Sequence, residues 1–584
     1  MYYITKNCVG CHNCFSECPM QAIEWSGMRY EIDQDKCVRC GLCARVCHTA
    51  SIIDTEAKDN VCYHDRIEKT ADVVVAGAGT GLVAAVRAAQ QGKKVIVIEK
   101  SSRLGGNTDY AHAFFPVYTK WHEKAGMVDA REKAIEHYMN ATDGVLGEDV
   151  IRTAVYATGE FFDWLCTFGT AEDVYHLVNL GDADAHGPIY GPGLLDFPNR
   201  IVDNLNCRDD AIGPGWGGTY VKYTMLKAIE DENLDVEILT EHAASHLLLD
   251  DEGAIAGVVA KDPGGETVIH APVVVLATGG FGKSDEKLKE FEPWFMAGET
   301  PIHRFSVPTD TGDGIDMLRE LGVEPVPERL FISMFGPKHH PFSNTLADIA
   351  LEPDMLQINL NGKRWINEEG HLFGMTPHIA EQPKEISYSI QSVDNIKSVA
   401  ERFINNPAMA SKKHLYETWL EELEDEAKLD IPVKKADTLA ELGRLCGMPE
   451  GALEAEVARY NEFCAKGVDE DFGKDAKNLV PVSDHGPYYA IYGQRFSEAA
   501  LGGLMVDGQC RVLRNDNTPI PGLYGVGDAT SAMHRRGELA VISELTWGVA
   551  SSFTSGNNAV DYVNQHGPAG QIVTRGYAAG EGGR

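Results

Sequence analysis

DVVVAGAGTGLVAAVRAAQQGKKVIVIEKSSRLGGNT, residues 72–108, reads as a strand, a glycine turn, a helix, a second strand and a second glycine loop. The apolar run Val73, Val74, Val75 and Ala76 has the unbroken hydrophobicity of a parallel strand buried on both faces. Gly77, Gly79 and Gly81 let the backbone turn sharply and approach a pyrophosphate, and the helix that follows offers its free N–H groups to the phosphates. Residues 95–98 form the second strand, which ends at Glu99, about 20 residues beyond the glycines, where an acid binds ribose hydroxyls. A glycine motif alone is weak evidence. The ordered set of strand, turn, helix, strand and acid favours a dinucleotide cradle over a bare α/β turn.

A chain of 584 residues has room for about three or four domains, and 43% hydrophobic with 24% charged residues is ordinary for a globular protein. The sequence has no run of 18 or more apolar residues, and Met1 is soon followed by Lys6 and Cys8. Neither a membrane span nor a secretion signal is expected, and the expected location is cytoplasmic. Lys and Arg total 52 against 87 Asp and Glu, giving 52 − 87 = −35. Such a charge repels nucleic acid and anionic membrane and suits a basic or neutral partner surface; solubility alone explains it equally well.

Eight of the fourteen cysteines fall within the first 47 residues, in two copies of one spacing. The first copy is Cys8, Cys11, Cys14 and Cys18, followed by Pro19; the second is Cys37, Cys40, Cys43 and Cys47, followed by His48. Thiolates at these intervals wrap three corners of a [4Fe–4S] cube, and the fourth cysteine of each copy reaches across to the other cube. That pairs Cys8, Cys11, Cys14 and Cys47 on one cluster and Cys37, Cys40, Cys43 and Cys18 on the other. Disulfides fit a cytoplasmic chain poorly, and two zinc knuckles have no need of the repeated fourth cysteine with proline. Residues 1–57 resemble bacterial two-cluster ferredoxins. The other cysteines, Cys62, Cys166, Cys207, Cys446, Cys464 and Cys510, are scattered and suit buried apolar positions.

Residues 58–70 are polar, lack periodicity and read as a linker. Residues 129–141 and 149–168 have helical apolar spacing. The Gly/Pro/Asp-rich passage from Gly181 to Gly218 suits a substrate pocket, a partner surface or a plain excursion. A helix at 219–229 and strands at 236–239 and 244–249 lead to Val273, Val274 and Val275, a strand that ends in ATGG. The turn Thr311-Gly312-Asp313-Gly314 opens another helix, so one long ligand held at several glycine turns is expected. From about 331 to 496 amphipathic helices and Pro-bounded loops suggest an inserted lid, after which residues 497–566 return to the first domain and a Gly-rich tail follows.

Residues 71–565 resemble the fumarate reductase and succinate dehydrogenase flavoprotein superfamily, with soluble fumarate reductases and 3-ketosteroid dehydrogenases as the branches most alike. The resemblance is carried by GAGTGL at Gly77, LGGNT at Leu104, ATGGFG at Ala277, TGDG at Thr311, NGKRWINEE at Asn361, ARYNEFCAKGVDEDFGK at Ala458, PYYA at Pro487, LGGLMVD at Leu501 and GLYGVGDAT at Gly522. It implies an α/β, Rossmann-like FAD-binding domain with an inserted α+β capping domain, behind a small α+β ferredoxin-like module. It also implies FAD as the dinucleotide, and hydride passing between flavin N5 and a carbon next to an electron-withdrawing group. The residues it assigns to FAD are Gly77, Ala78, Gly79, Thr80, Gly81, Glu99, Lys100, Gly105, Gly106, Asn107, Thr108, Ala244, Ala277, Thr278, Gly279, Asp313, Gly527, Asp528, Val541 and Ile542.

The chain departs from the family pattern at informative places. The third glycine of GxGxxG falls at Leu82, with Gly81 one place early. Fumarate reductases place a proton-donating arginine four residues beyond the glutamate that corresponds to Glu368, where this chain has Leu372. The family's carboxylate-gripping histidine is replaced by Ala499, while its C-terminal arginine survives as Arg536. Loss of two of three carboxylate handles argues against fumarate. Alternative acids are His371, Tyr489 in PYYA and His534 with Glu538, each of which also has a plain structural explanation.

The expectation is an anaerobic FAD enzyme that saturates an activated C=C bond of an enone, ring or aryl-acrylate compound, with electrons relayed through two [4Fe–4S] clusters. The donor would be a reduced ferredoxin, a flavodoxin or an NAD(P)H-oxidising flavoprotein, and an oligomer is compatible with the sequence. The alternatives are a dehydrogenase running in reverse and an electron-transfer subunit serving a separate catalytic chain.

Overall fold

The computed structural model describes residues 2–5, 8, 13–16, 18, 20–26, 30–39, 43–44, 47, 51–54, 66–111, 116–141, 147–168, 175–179, 199–203, 217–298, 303–304, 306–325, 331–337, 349–369, 375, 378–405, 417–428, 433–500, 502–530 and 544–568. Its centre is a six-stranded sheet in the order Val236–Thr240, Val95–Glu99, Val73–Ala76, Val273–Leu276, Pro519–Gly525 and Arg511–Leu513. The first five run parallel, and only the outermost pair is antiparallel. Both faces are covered, as continuous Val/Ile strands require. Val74, Ile96 and Val274 join one apolar cluster, while Val73, Val75, Val95 and Val275 join another on the opposite face.

The helix Gly81–Gln90, with sequence GLVAAVRAAQ, is alanine-rich and buried along most of its length. It lies against the sheet on one side and the long C-terminal helix Glu544–His566 on the other. The displaced third glycine has a local explanation. A Cβ on Gly81 would stand 2.8 Å from both Val75 Cγ1 and Ala277 Cβ, so the glycine marks the closest approach of helix to sheet. Leu82 points into the core and is fully buried.

A four-stranded sheet, Ala243–Leu249, Ile255–Asp262, Gly265–His270 and Arg66–Thr70, flanks the first. Its outer strand, Arg66–Thr70, lies at the end of the segment expected to be linker. That strand pairs parallel with Gly265–His270, so residues 66–70 are part of the fold. The strand has little apolar content, which hid it from a pattern-based reading; pairing at a sheet edge is what orders it.

The inserted segment is built on the long strand Tyr488–Ala500. It pairs with Phe331–Pro337, Ile386–Ser392, Val433–Ala436 and His303–Arg304, and Leu356–Asn359 extends the sheet. The boundary expected at 496/497 falls inside this strand. Helices Val393–Asn405, Trp419–Ala427, Leu439–Leu445 and Ala452–Lys466 are the amphipathic helices of the insertion.

The N-terminal module pairs Tyr2–Ile4 with Ile52–Asp54 and Ile23–Trp25 with Tyr30–Ile32, all antiparallel. Its small core combines Ile4, Ile23, Tyr30 and Ile52 with Cys14, Cys43 and Cys47. Among the described residues, no helix is long and apolar enough to cross a membrane.

Candidate active site

The cradle forms where the central strands end. Gly77 has φ +115°, and a Cβ there would lie 2.0 Å from the Ala277 carbonyl oxygen, so only glycine lets the first turn sit against ATGG. The first glycine turn packs against groups expected from the sequence. A Cβ on Gly79 would meet Thr108 Oγ1 at 2.6 Å and Gly105 O at 2.9 Å, and the Thr80 amide donates to Thr108 Oγ1 at 3.1 Å. The Gly105 amide donates to Ala78 O at 2.9 Å, which locks the second glycine loop onto the first. Space opens beside Gly106, where an added Cβ would meet nothing within 4 Å.

Glu99 is buried, with Oε2 accepting from the Ala78 amide at 2.9 Å and Oε1 from the Ser101 amide at 2.7 Å. Burial pushes its carboxyl above the ordinary range, while the two amides and Lys100 oppose the shift. Each oxygen keeps a lone pair for a ribose hydroxyl. The Thr278 hydroxyl is buried without a hydrogen-bond partner among the described residues, as a group awaiting a ligand would be. These features fit FAD. Ala244 lies two residues beyond His242, whose amide donates to Glu99 O at 2.9 Å, and so belongs to the ribose end. Lys100 and Asp313 meet each other, with Nζ 3.0 Å from both carboxylate oxygens. At the far side Gly527 donates to Ser551 Oγ at 3.0 Å, and the Gly502 amide donates to Asp528 O at 2.6 Å.

Several contributors had no sequence motif to reveal them. Asp109 is buried and pairs with Lys222 Nζ at 2.6 Å, clamping the LGGNT loop to the helix Gly217–Asp231. Asp310, fully sequestered, accepts from the Gly282 amide at 3.2 Å, and burial raises its carboxyl while Ser306, Gly282 and Asn107 oppose. Asn107, which LGGNT did reveal, accepts through Oδ1 from the Val307 amide at 2.9 Å. Beside them Lys283 donates to Arg304 O at 2.9 Å, and burial, aided by Arg304 and opposed by Asp310, lowers its ammonium to about 8.

In the inserted segment Glu368 forms a saturated ion network. Arg364 reaches it through Nε at 2.8 Å and Nη2 at 2.7 Å, and Lys474 Nζ lies 3.1 Å from Oε2. Arg364 Nη1 also meets Asp469 at 2.9 Å, and the side chains of all four residues are essentially unexposed. Burial opposes the Arg364 charge, yet Glu368 and Asp469 hold it above its ordinary value. NGKRWINEE is therefore scaffold up to Glu368. Tyr489, expected as a candidate acid, is fully buried in the insertion's core, and its hydroxyl donates to Glu424. Burial, then Glu424, raises its phenol well above the ordinary value. The side chain is a core aromatic and not the proton donor its motif position suggests. His371, Leu372, His534, Arg536, Glu538, Val541 and Ile542 lie outside the described residues, as does the side chain of Ala499.

Of the eight cluster cysteines, Cys11 and Cys40 lie outside the described residues. The last cysteine of each copy carries a repeated detail. Cys18 Sγ accepts from the Ala22 amide at 3.3 Å, and Cys47 Sγ accepts from the Ser51 amide at 3.2 Å, four residues on in each copy. Such N–H···S bonds stabilise thiolates in iron–sulfur sites. A family model described as a 4Fe-4S dicluster domain matches residues 7–51, and one described as an FAD binding domain matches residues 72–543. The chain belongs to the FAD-binding domain family.

Within this flavoprotein family, a fumarate reductase (cytochrome) from Shewanella frigidimarina is 26% identical over 495 residues, covering 82% of this chain and 76% of its own length. A vinyl phenol reductase from Lactiplantibacillus plantarum is 25% identical over 489 residues, covering 79% of this chain and 90% of its own. A solved 3-ketosteroid-delta4-(5alpha)-dehydrogenase from Rhodococcus jostii RHA1 has the same fold, with a TM-score of 0.62 at 22% identity, covering 86% of this chain and 99% of that one. The flavoprotein described here is an FAD-dependent oxidoreductase acting on CH–CH groups, with iron–sulfur chemistry at its N-terminus.

Proposed function

We propose that the chain reduces the activated C=C bond of an enone or aryl-acrylate substrate, using electrons relayed through two [4Fe–4S] clusters. The observation that carries this reading is the ferredoxin module built into the same chain as the FAD cradle, which gives the cradle its own electron supply. FAD, when bound, supplies hydride transfer at N5 and takes up electrons singly or in pairs. In the chain itself, Glu99 holds the ribose, the turn from Gly77 to Gly81 faces the pyrophosphate, and Thr278 offers a hydroxyl to the same ligand. Cys8, Cys11, Cys14 and Cys47 hold one cluster, and Cys37, Cys40, Cys43 and Cys18 the other. One C=C bond consumes two electrons and two protons, so the site needs a proton donor beside the α-carbon.

Tyr489 is spent in the core and Glu368 in its ion network, which leaves His371 or His534 with Glu538 for proton delivery. Arg536 is the remaining handle for a carbonyl or carboxylate oxygen. Leu372 and Ala499, in place of an arginine and a histidine, favour an uncharged or aryl substrate over a small dicarboxylate. The donor is a one-electron carrier such as a reduced ferredoxin or flavodoxin, or a flavoprotein that oxidises NAD(P)H.

The test is anaerobic turnover with reduced methyl viologen and a panel of cyclic enones, aryl acrylates and fumarate. Saturated product is expected from the enones or aryl acrylates, at rates well above that with fumarate. Rapid reduction of fumarate would overturn the substrate assignment. Failure of every alkene, with donor oxidation accelerated only by a partner protein, would favour an electron-transfer subunit.

A further inference from the structure

A hydrogen bond ties the two halves of the chain together at a chemically significant place. Arg103 Nη1 donates to the Cys47 carbonyl oxygen at 2.7 Å, in a partly buried setting. Cys47 is itself buried, with its sulfur held by the Ser51 amide. Arg103 belongs to the short stretch between the ribose-binding Glu99 and the glycine loop. Its own amide donates to Ser101 Oγ at 3.2 Å, the Ser101 amide donates to Glu99 at 2.7 Å, and two residues beyond Arg103 the Gly105 amide reaches Ala78 O at 2.9 Å. A cluster ligand is thus connected to the dinucleotide loop through one guanidinium and a few firmly held backbone groups.

We propose that Arg103 is a positioning residue that fixes the electron exit of the ferredoxin module: the cluster bound through Cys47 is the one that feeds the flavin. Rests on the function proposed above, this assignment has its own physical basis. Each transfer oxidises that cluster by one electron, and two transfers with two protons supply the saturation of one C=C bond. The guanidinium is a planar, hydrogen-bonding cation, so it does two things at this contact. It holds donor and acceptor at a set separation, and its positive field favours the reduced, more negative cluster.

The experiment compares wild type with Arg103→Ala and Arg103→Lys in the full chain, loaded with flavin and clusters. The clusters are reduced with dithionite in a rapid-mixing cell, and flavin bleaching is followed. Redox titration monitored by electron paramagnetic resonance gives the cluster potentials. Arg103→Ala is expected to slow cluster-to-flavin transfer by about tenfold or more, as loss of positioning does. One cluster should move to lower potential, while reoxidation of reduced flavin by an alkene stays at the wild-type rate. Arg103→Lys should recover part of both effects. Should Arg103→Ala fail to hold its cofactors, Arg103→Lys carries the test by the same readouts. Wild-type transfer with unmoved potentials, or an equal slowing of the alkene step, overturns the assignment. If wild-type clusters never reduce the flavin, the proposed function fails instead, and the potential shift alone decides whether Arg103 acts on the Cys47 cluster.

Discussion

Glu99 and Glu368 are both buried glutamates inside family motifs, and their surroundings give them opposite roles. Glu99 accepts from two backbone amides, one per oxygen; its carboxyl is raised by burial and has lone pairs to offer. Glu368 is gripped by Arg364 and Lys474, with Asp469 completing a closed set of charges. The first environment is poised for a ligand. The second is complete without one, so its motif marks a scaffold that sets up the loop beyond it.

The largest test of that contrast is Arg364→Met, which would strand Glu368 and Asp469 beside a single lysine. Breaking a buried network in this way costs about 3–5 kcal/mol, read as a lowered urea midpoint, with FAD affinity in the surviving folded fraction little changed. Glu99→Ala should do the reverse: removing a charged acceptor from ribose hydroxyls weakens FAD by about 2–3 kcal/mol, measured by flavin fluorescence titration, while cluster content stays constant. Glu368→Gln sharpens the comparison further, because it keeps the shape and removes only the charge. Turnover near wild type would support the scaffold role, and abolished turnover with unchanged stability would break it.

Lys283 gives a pH-dependent effect. Its folded value is lowered from 10.5 to about 8, mainly by burial. The charged form therefore weakens the fold below pH 8, and stability rises between about pH 8 and 10.5, where the unfolded chain keeps a proton that the folded chain has lost. The full change is about 3 kcal/mol, read as urea midpoints at pH 7.5, 9 and 10. Lys283→Met should flatten the profile.

The cradle was legible because its parts are close in sequence and each has a local cause. Gly77 turns the chain, Val73 to Ala76 fill a buried strand, and Glu99 follows at the distance the helix imposes. The 4Fe-4S module was legible for the same reason, from the doubled cysteine spacing. Asp109 with Lys222, and Asp310 with Gly282, were not, because each pair is made by tertiary packing across 113 and 28 residues. Tyr489 shows the converse: its motif position suggested chemistry, yet β pairing turns it into the insertion's core, where Glu424 takes its hydroxyl. The strand Arg66–Thr70 escaped notice because edge pairing needs no apolar alternation.

In the proposed reaction one chain carries electrons from its clusters through FAD into a C=C bond. Stopped-flow spectroscopy on the fully reduced protein, with excess donor removed, tests it most directly. On mixing with a cyclic enone or an aryl acrylate, flavin and clusters should reoxidise together as the saturated product appears, one product for every two electrons lost. Flavin and clusters that stay reduced in the presence of every alkene, or flavin that reoxidises while the clusters keep their electrons, would contradict the account.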